Sequence, residues 1–133
     1  MTYLLDTNVC IEFMRRRNAN IVHQIQSRSS SEIVLCATVV SELCYGTFKG
    51  KNPTTNLPIL EKFLSEFVTL PFDAAAAQIA GRLRANLGGT GRKIGPNDLQ
   101  IASVALLHQL TVVTHNVSEF TRVPGLTVED WQT

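Results

Sequence analysis

Short apolar runs alternate along this chain with longer segments in which apolar residues recur every three or four positions. The runs have the length of buried strands, and the longer segments have the period of helices packed on one side. This alternation favours an α/β fold, with a short, mainly parallel β-sheet flanked by helices. Strands are predicted at 3–5, 33–36, 67–70 and 111–114, with a weaker pattern at 126–128.

The predicted helices lie between these strands, at 9–16, 19–27, 39–48, 57–66, 73–87 and 97–109. Thr38 and Asp73 are the expected N-caps of the third and fifth helices. The helix at 97–109 has almost no polar face, so we predict that it is buried. The glycine-rich segment 88–95 is interpreted as a surface loop.

Length and composition indicate one globular domain over residues 1–133. The chain is 44% hydrophobic and 17% charged, and its net charge is +1, so any attraction for nucleic acid must come from local patches. Cys10, Cys36 and Cys44 are odd in number and lack metal-binding spacing, which favours reduced thiols in the cytoplasm. A secretory signal and a membrane-spanning run are both absent from the pattern, so we expect a cytoplasmic protein that binds no membrane.

Carboxylates and amides stand where predicted strands end or predicted helices begin. Such positions share one edge of a parallel sheet, which is where α/β proteins bind ligands. These side chains can therefore meet in a single cleft although they are far apart in sequence. They are Asp6, Glu42, Asp98, Asn116 and Glu119.

Asp98 gives the sharpest argument for a metal ion. It shares a helix face with Ile101 and Ala102, and no Lys or Arg lies at helical spacing to pair with it. A helix N-terminus stabilises an anion by only about 0.3–1 kcal/mol, whereas desolvating a carboxylate costs several kcal/mol. A hard divalent cation such as Mg²⁺ would neutralise several such groups, and it could activate water and polarise a phosphate.

Each of these residues also has a simpler interpretation. Asp6 and Asp98 could be helix-capping residues without a further role. Glu42 could be a solvated helical residue, and Asn116 and Glu119 could be turn residues. Spacing alone leaves both interpretations open.

At these positions the chain resembles VapC-type PIN-domain ribonucleases, the toxin half of bacterial VapBC toxin–antitoxin pairs. The resemblance extends over essentially the whole chain and depends on the order and spacing of several short motifs. They are Leu5-Asp6-Thr7-Asn8, Ser41-Glu42-Leu43, Gly95-Pro96-Asn97-Asp98 with Ile101-Ala102, and Val113-Thr114-His115-Asn116 with Glu119-Phe120.

The resemblance implies a Mg²⁺-dependent endoribonuclease, with Mn²⁺ as a possible substitute. Asp6, Glu42 and Asp98 would be the catalytic and metal-binding residues. The family usually has Asp where this chain has Asn116, so a second tightly held metal is in doubt unless Glu119 supplies the carboxylate. Thr7 and Thr114 would hydrogen-bond a ligand or a metal-bound water.

The implied reaction is hydrolysis of a phosphodiester by metal-activated water, and the implied substrate is structured RNA such as the anticodon stem-loop of tRNA. Cleavage of such an RNA would inhibit translation. The implied partners are a VapB-type antitoxin that blocks the cleft, and a second copy in a homodimer, with DNA contacted only through the antitoxin. Candidate RNA contacts are the cations Arg15, Arg16, Lys49, Lys51, Arg92 and Lys93.

Two other functions fit parts of the pattern. A PIN-like binding module without activity is suggested by Asn116. A haloacid-dehalogenase-like phosphatase could use Asp6 as its nucleophile, but that chemistry requires a second Asp where Asn8 stands.

Overall fold

A computed structural model describes residues 1–89, 91 and 94–133. Its centre is a parallel sheet of five strands: β1 (Tyr3–Leu5), β2 (Ile33–Cys36), β3 (Val68–Leu70), β4 (Thr111–Val113) and β5 (Thr127–Glu129). All four strand pairings are parallel, as the alternation of strands and helices predicts. The five predicted strands are confirmed to within one residue at each end.

The strand order is β3-β2-β1-β4-β5, which places β1 at the centre. The chain builds outward from β1 to β3, then crosses to the other side of β1 and builds outward again to β5. The direction of progress therefore reverses between β1 and β4, where Leu5 is opposite Val113. In open parallel sheets the crevice at such a reversal is the usual ligand site.

Seven helices flank the sheet within the described residues: α1 (Thr7–Met14), α2 (Ala19–Gln26), α3 (Ala37–Lys49), α4 (Pro53–Ser65), α5 (Ala74–Gly89), α6 (Pro96–His108) and α7 (Val117–Phe120). Every predicted helix is found, and α6 is buried along most of its length as expected. The predicted end of α6 at Gln109 is one residue too late, since Gln109 takes a left-handed φ of 56° and terminates the helix.

Three helix starts differ from the prediction by two residues or more. Helix α1 begins at Thr7, directly after Asp6, instead of at Val9. Thr38 is not the N-cap of α3: Cys36 holds that position, and the Thr38 hydroxyl donates instead to Gln100 Oε1 at 2.8 Å. Pro53 begins α4, because the first helical position needs no backbone N–H.

The core is formed by the sheet and the helix faces against it. Strand β2 is buried throughout, and β1 and β4 are buried except at their first residues; the helices contribute a set of small and branched apolar side chains. The apolar stripe predicted on α4 is present, with Leu60 and Phe63 buried. Among the described residues, no helix has both the length and the apolar character needed to span a membrane.

Candidate active site

Asp6 lies at the reversal point of the sheet, immediately after β1. Its side chain is 6% exposed and makes two hydrogen bonds. Val9 N–H donates to Oδ1 at 3.0 Å, which caps α1, and the Thr114 hydroxyl donates to Oδ2. The capping interpretation of Asp6 is therefore correct, but it is incomplete because a residue that follows β4 holds the second oxygen.

Burial raises the pKa of Asp6, and the nearby charges of Glu42 and Asp130 raise it further. The hydrogen bonds from Thr114 and Val9 oppose these effects without cancelling them. The fold thus keeps a carboxylate in a place where its charge is costly. A cation at this position would remove that cost.

Thr114 connects Asp6 to the next turn of the chain. It is fully buried, and its hydroxyl oxygen accepts a hydrogen bond of 2.9 Å from the backbone N–H of Asn116 while it donates to Asp6. One hydroxyl therefore fixes both the Asp6 carboxylate and the position of Asn116.

Glu42 is held toward the same edge from α3. Thr7, the first residue of α1, donates its hydroxyl to Glu42 Oε1 at 2.6 Å. Because Thr7 directly follows Asp6, this contact fixes the second turn of α3 beside the end of β1. The hydrogen bonds of Thr7 and Thr114 to carboxylates are those that the resemblance suggests for them.

Asp98 enters the site from the first turn of α6. Its pKa is raised to about 7, mainly by burial and then by the charge of Glu119, a hydrogen bond to Glu119 and the charges of Asp6 and Glu42. Asp98 does not cap α6, whose N-cap is Gly95. We call the four interacting acids, Asp6, Glu42, Asp98 and Glu119, the carboxylate cluster.

Glu119 is brought into the cluster by α7. Its Oε1 accepts the backbone N–H of Gly95 at 2.6 Å, and its Oε2 accepts the side-chain N–H of Asn116 at 2.5 Å. The hydrogen bond from Gly95 is the largest of the effects that lower the pKa of Glu119. Asn116 is exposed and contacts a member of the cluster, so its side chain orients Glu119 in this structure.

The cluster suits a hard divalent ion by its donor atoms, which are carboxylate oxygens that repel one another. Within the described ranges, no three acidic, histidine or cysteine side chains already form a group able to hold a metal ion. Mg²⁺ does not need such a group, since it commonly binds one or two carboxylates and keeps several waters. The residues present therefore fit Mg²⁺ held by few protein ligands.

A second polar pair borders the site and was missed from the sequence. His115 Nδ1 lies 3.0 Å from Asp130 Oδ2, and the charge of Asp130 acts on Asp6. His115 belongs to a quoted motif, which was a usable signal. Asp130 lies beyond the last predicted strand, and no local pattern marks it.

A groove begins at Glu42 and runs between α1, α3 and α4. Its volume is about 160 Å³, and its lining includes Ile11, Met14, Arg15, Leu43 and Ile59. Of the predicted RNA contacts that the structure describes, only Arg15 lines this groove together with Glu42. An exposed cation therefore stands beside one acid of the cluster.

The other predicted RNA contacts are distributed more widely. Arg16 borders a separate groove between α1, α2 and α4, and Lys51 is exposed after α3. Lys49 lies over the ring of Tyr45 with its Nζ 5.2 Å from the ring centroid. Arg92 and Lys93 lie outside the described residues.

Comparison with known proteins identifies the family. Residues 3–126 match the PIN domain family. The tRNA(fMet)-specific endonuclease VapC of Shigella flexneri is 37% identical over 131 residues, covering 98% of each chain.

Two solved structures share the whole fold. A chain in the DNA-bound VapBC structure from Salmonella typhimurium has a TM-score of 0.92 and 36% identity, with 98% of each chain covered. A chain in the VapBC2 structure from Rickettsia felis, bound to a fragment of promoter DNA, has a TM-score of 0.91 and 34% identity, with 98% of this chain and 99% of that chain covered. The chain therefore belongs to the PIN domain family and is of the VapC type.

Proposed function

We propose that this chain is the toxin of a VapBC-type toxin–antitoxin pair and that it hydrolyses structured RNA with Mg²⁺ bound at the carboxylate cluster. The observation that carries the proposal is the position of Asp98. Its carboxyl is partly buried among three other acids at the reversal point of a parallel sheet. Such an arrangement is unfavourable in isolation and becomes favourable when it binds a divalent ion.

The chain's own residues prepare the site. Val9 and Thr114 fix Asp6, Thr7 fixes Glu42, and Gly95 fixes Glu119 close to Asp98. When bound, Mg²⁺ supplies a water of lowered pKa and stabilises the charge that develops on the scissile phosphate. Asp6 and Asp98 would hold the ion, and Glu42 would orient the water or add a ligand. Because water attacks instead of the ribose 2′-OH, the products would carry 5′-phosphate and 3′-hydroxyl ends.

The proposed substrate is tRNA, cut in the anticodon stem-loop. The Shigella flexneri relative is named for tRNA(fMet), and it matches this chain over 98% of its length. Unpaired loop bases are the part of RNA that proteins read most readily. Cutting an anticodon loop would stop translation, which is the expected effect of the toxin.

The proposed partner is a VapB-type antitoxin, because the similar solved structures are VapBC complexes. Its peptide would block the cleft beside Glu42, where the α1–α3–α4 groove opens. DNA contact would come from the antitoxin, which agrees with the net charge of only +1 on this chain. We also propose a homodimer and a cytoplasmic location.

The test is cleavage of a total tRNA pool by purified protein freed of any partner. Wild type with Mg²⁺ is expected to give discrete fragments, and Asp6→Ala, Asp98→Ala and added EDTA are each expected to abolish them. Glu61→Ala is the matched control, since it removes an exposed carboxylate on α4. Intact RNA from folded wild type across a broad substrate panel would support a binding module without activity.

A further inference from the structure

One face of α3 runs from the buried side of the active site out into solvent. Thr38, Glu42, Tyr45 and Lys49 are spaced by four, three and four residues, so they lie on one side of the helix. Thr38 is 7% exposed and is hydrogen-bonded to α6, whereas Tyr45 is 63% exposed. This face of α3 therefore joins the carboxylate cluster, through Glu42, to an exposed aromatic ring.

The exposed end combines a ring with a cation. The ammonium of Lys49 lies 5.2 Å from the centroid of the Tyr45 ring. An exposed aromatic ring next to a positive charge is the combination that proteins use for single-stranded nucleic acid, since the ring stacks on a base and the cation pairs with a phosphate. We call these two residues the Tyr45–Lys49 surface.

The distance from the active site suits the same RNA strand. With a rise of about 1.5 Å per residue, Tyr45 and Lys49 lie roughly 4.5 and 10 Å along the helix axis beyond Glu42. A stacked strand advances about 3.4 Å per nucleotide, so this surface lies within about three nucleotides of a phosphate held at the carboxylate cluster.

We propose that the Tyr45–Lys49 surface binds an unpaired nucleotide of the RNA substrate near the cleavage point. The Tyr45 ring stacks on the base, and Lys49 contacts a neighbouring phosphate. This inference rests on the proposed function, and it adds a base-binding subsite to the carboxylate cluster.

The chemistry of the surface favours RNA over a second copy of the chain. Lysine is depleted in the cores of protein–protein interfaces, and here its charge lies directly at the exposed ring. Electrostatic complementarity to phosphate and continuity with the active-site face both point to a nucleic acid. A contact between copies is the alternative that the experiment must exclude.

The experiment measures RNA binding in an Asp98→Asn background, so that no cleavage occurs. Fluorescence anisotropy compares a hairpin that has an unpaired loop with a blunt duplex of similar length. Tyr45→Leu is expected to weaken hairpin binding by about tenfold and to leave duplex binding unchanged, and Tyr45→Phe should restore it. Val68→Ala, which alters another exposed apolar residue (60% exposed), is the control and should bind as the parent does.

Lys49→Gln tests the second half of the surface. It should weaken binding and lower the slope of log K against log salt by about one, whereas Tyr45→Leu should leave this slope unchanged. Circular dichroism melting of each variant checks that it is folded.

Two results would overturn the inference. One is equal binding of the hairpin by Tyr45→Leu, Tyr45→Phe and the parent. The other is a change in sedimentation velocity for Tyr45→Leu with unchanged RNA affinity, which would assign the surface to contacts between copies. The proposed function is tested by a separate experiment, cleavage of tRNA by the wild-type protein. That result does not depend on the Tyr45 variants.

Discussion

The backbone N–H of Gly95 donates a hydrogen bond of 2.6 Å to Oε1 of Glu119. Gly95 is the N-cap of α6, and Glu119 lies in the single turn of α7, so this bond fixes the two elements to each other. The same bond sets Glu119 against Asp98, three residues into α6. Of the three neighbouring acids, Glu119 has the largest charge effect on the pKa of Asp98, so a structural contact helps to set the electrostatics of the carboxylate cluster.

Glu119→Ala should lower the stability of the protein more than Glu119→Gln. Alanine removes the acceptor for Gly95, which we expect to cost about 1 kcal/mol after allowance for exposure to solvent. Glutamine keeps a side-chain oxygen that can accept the same N–H. Urea denaturation of the metal-free protein measures both changes, and equal stability of the two variants would show that the bond to Gly95 contributes nothing.

Thr114→Val should destabilise the protein more than Thr114→Ser. The difference between the unfolding free energies of the two variants should be larger at alkaline pH. Valine keeps the size of the side chain but leaves the buried Asp6 Oδ2 without its donor, at a cost of about 2 kcal/mol. Serine keeps the hydroxyl and loses only a methyl group, at about 1 kcal/mol. The hydroxyl stabilises the ionised form of Asp6, so the gap should narrow as Asp6 becomes protonated.

The check is urea denaturation of both Thr114 variants at pH 5 and pH 8 in EDTA. A gap that stays constant with pH would show that the hydroxyl acts through packing or through Asn116, and not through the charge of Asp6.

The sequence was sufficient to predict the five strands and six of the seven α-helices, and it placed the acids of the candidate site at one edge of the sheet. Asp6, Glu42 and Asp98 were predicted to meet because each stands at a strand end or a helix start, and the rules of parallel sheets place such positions on one edge. The charges of Asp6 and Glu42 both raise the pKa of Asp98, which agrees with their lying at the same edge of the sheet. The strand order was not predicted, since short apolar runs carry no signal for which strands are neighbours.

What the sequence did not predict depends on contacts between distant residues. The four-residue helix α7 is too short to show a helical period, and the hydrogen bond that its Glu119 accepts from Gly95 N–H joins residues 24 positions apart. Thr38 has the residue type of an N-cap, but Gln100 on α6 offers its hydroxyl a partner. Helix α4 begins at Pro53, four residues before the predicted start, and it tolerates Pro58 in its second turn while Leu60 and Phe63 anchor it in the core.

Asp98→Asn should stabilise the metal-free protein at pH 8. Wild-type Asp98 has a folded-state pKa of about 7 against an ordinary value of 3.8. Its favourable contribution to the free energy of unfolding is therefore complete below pH 3.8 and is lost as the pH rises toward 7, because over this range the unfolded state has released the proton while the folded state still holds it. Asparagine cannot ionise, and its side-chain N–H can donate to Glu119.

The measurement is thermal melting in EDTA at pH 4.5, 6 and 8. The variant should gain a few degrees over wild type at pH 8, and the difference should shrink toward acidic pH. Glu61→Gln is the control, since it changes an exposed carboxylate of α4 and should show no such trend. A difference between Asp98→Asn and wild type that does not vary with pH would contradict the raised pKa.

Asn116→Asp should lower the stability of the metal-free protein and increase the stabilisation that Mg²⁺ provides. The side-chain N–H of Asn116 now donates to Glu119 Oε2, and an aspartate would replace this donor with a second negative charge. Like charges at this distance destabilise the metal-free fold, while an added carboxylate attracts a divalent ion more strongly than an amide oxygen does. Melting temperatures with EDTA and across a Mg²⁺ titration measure both effects.

Asn116→Ser removes the donor without adding charge, so it should lose stability in EDTA and show no larger gain from Mg²⁺ than wild type. A clear loss of Mg²⁺ affinity in Asn116→Asp would mean that this residue serves only to orient Glu119 and lies outside the reach of the ion.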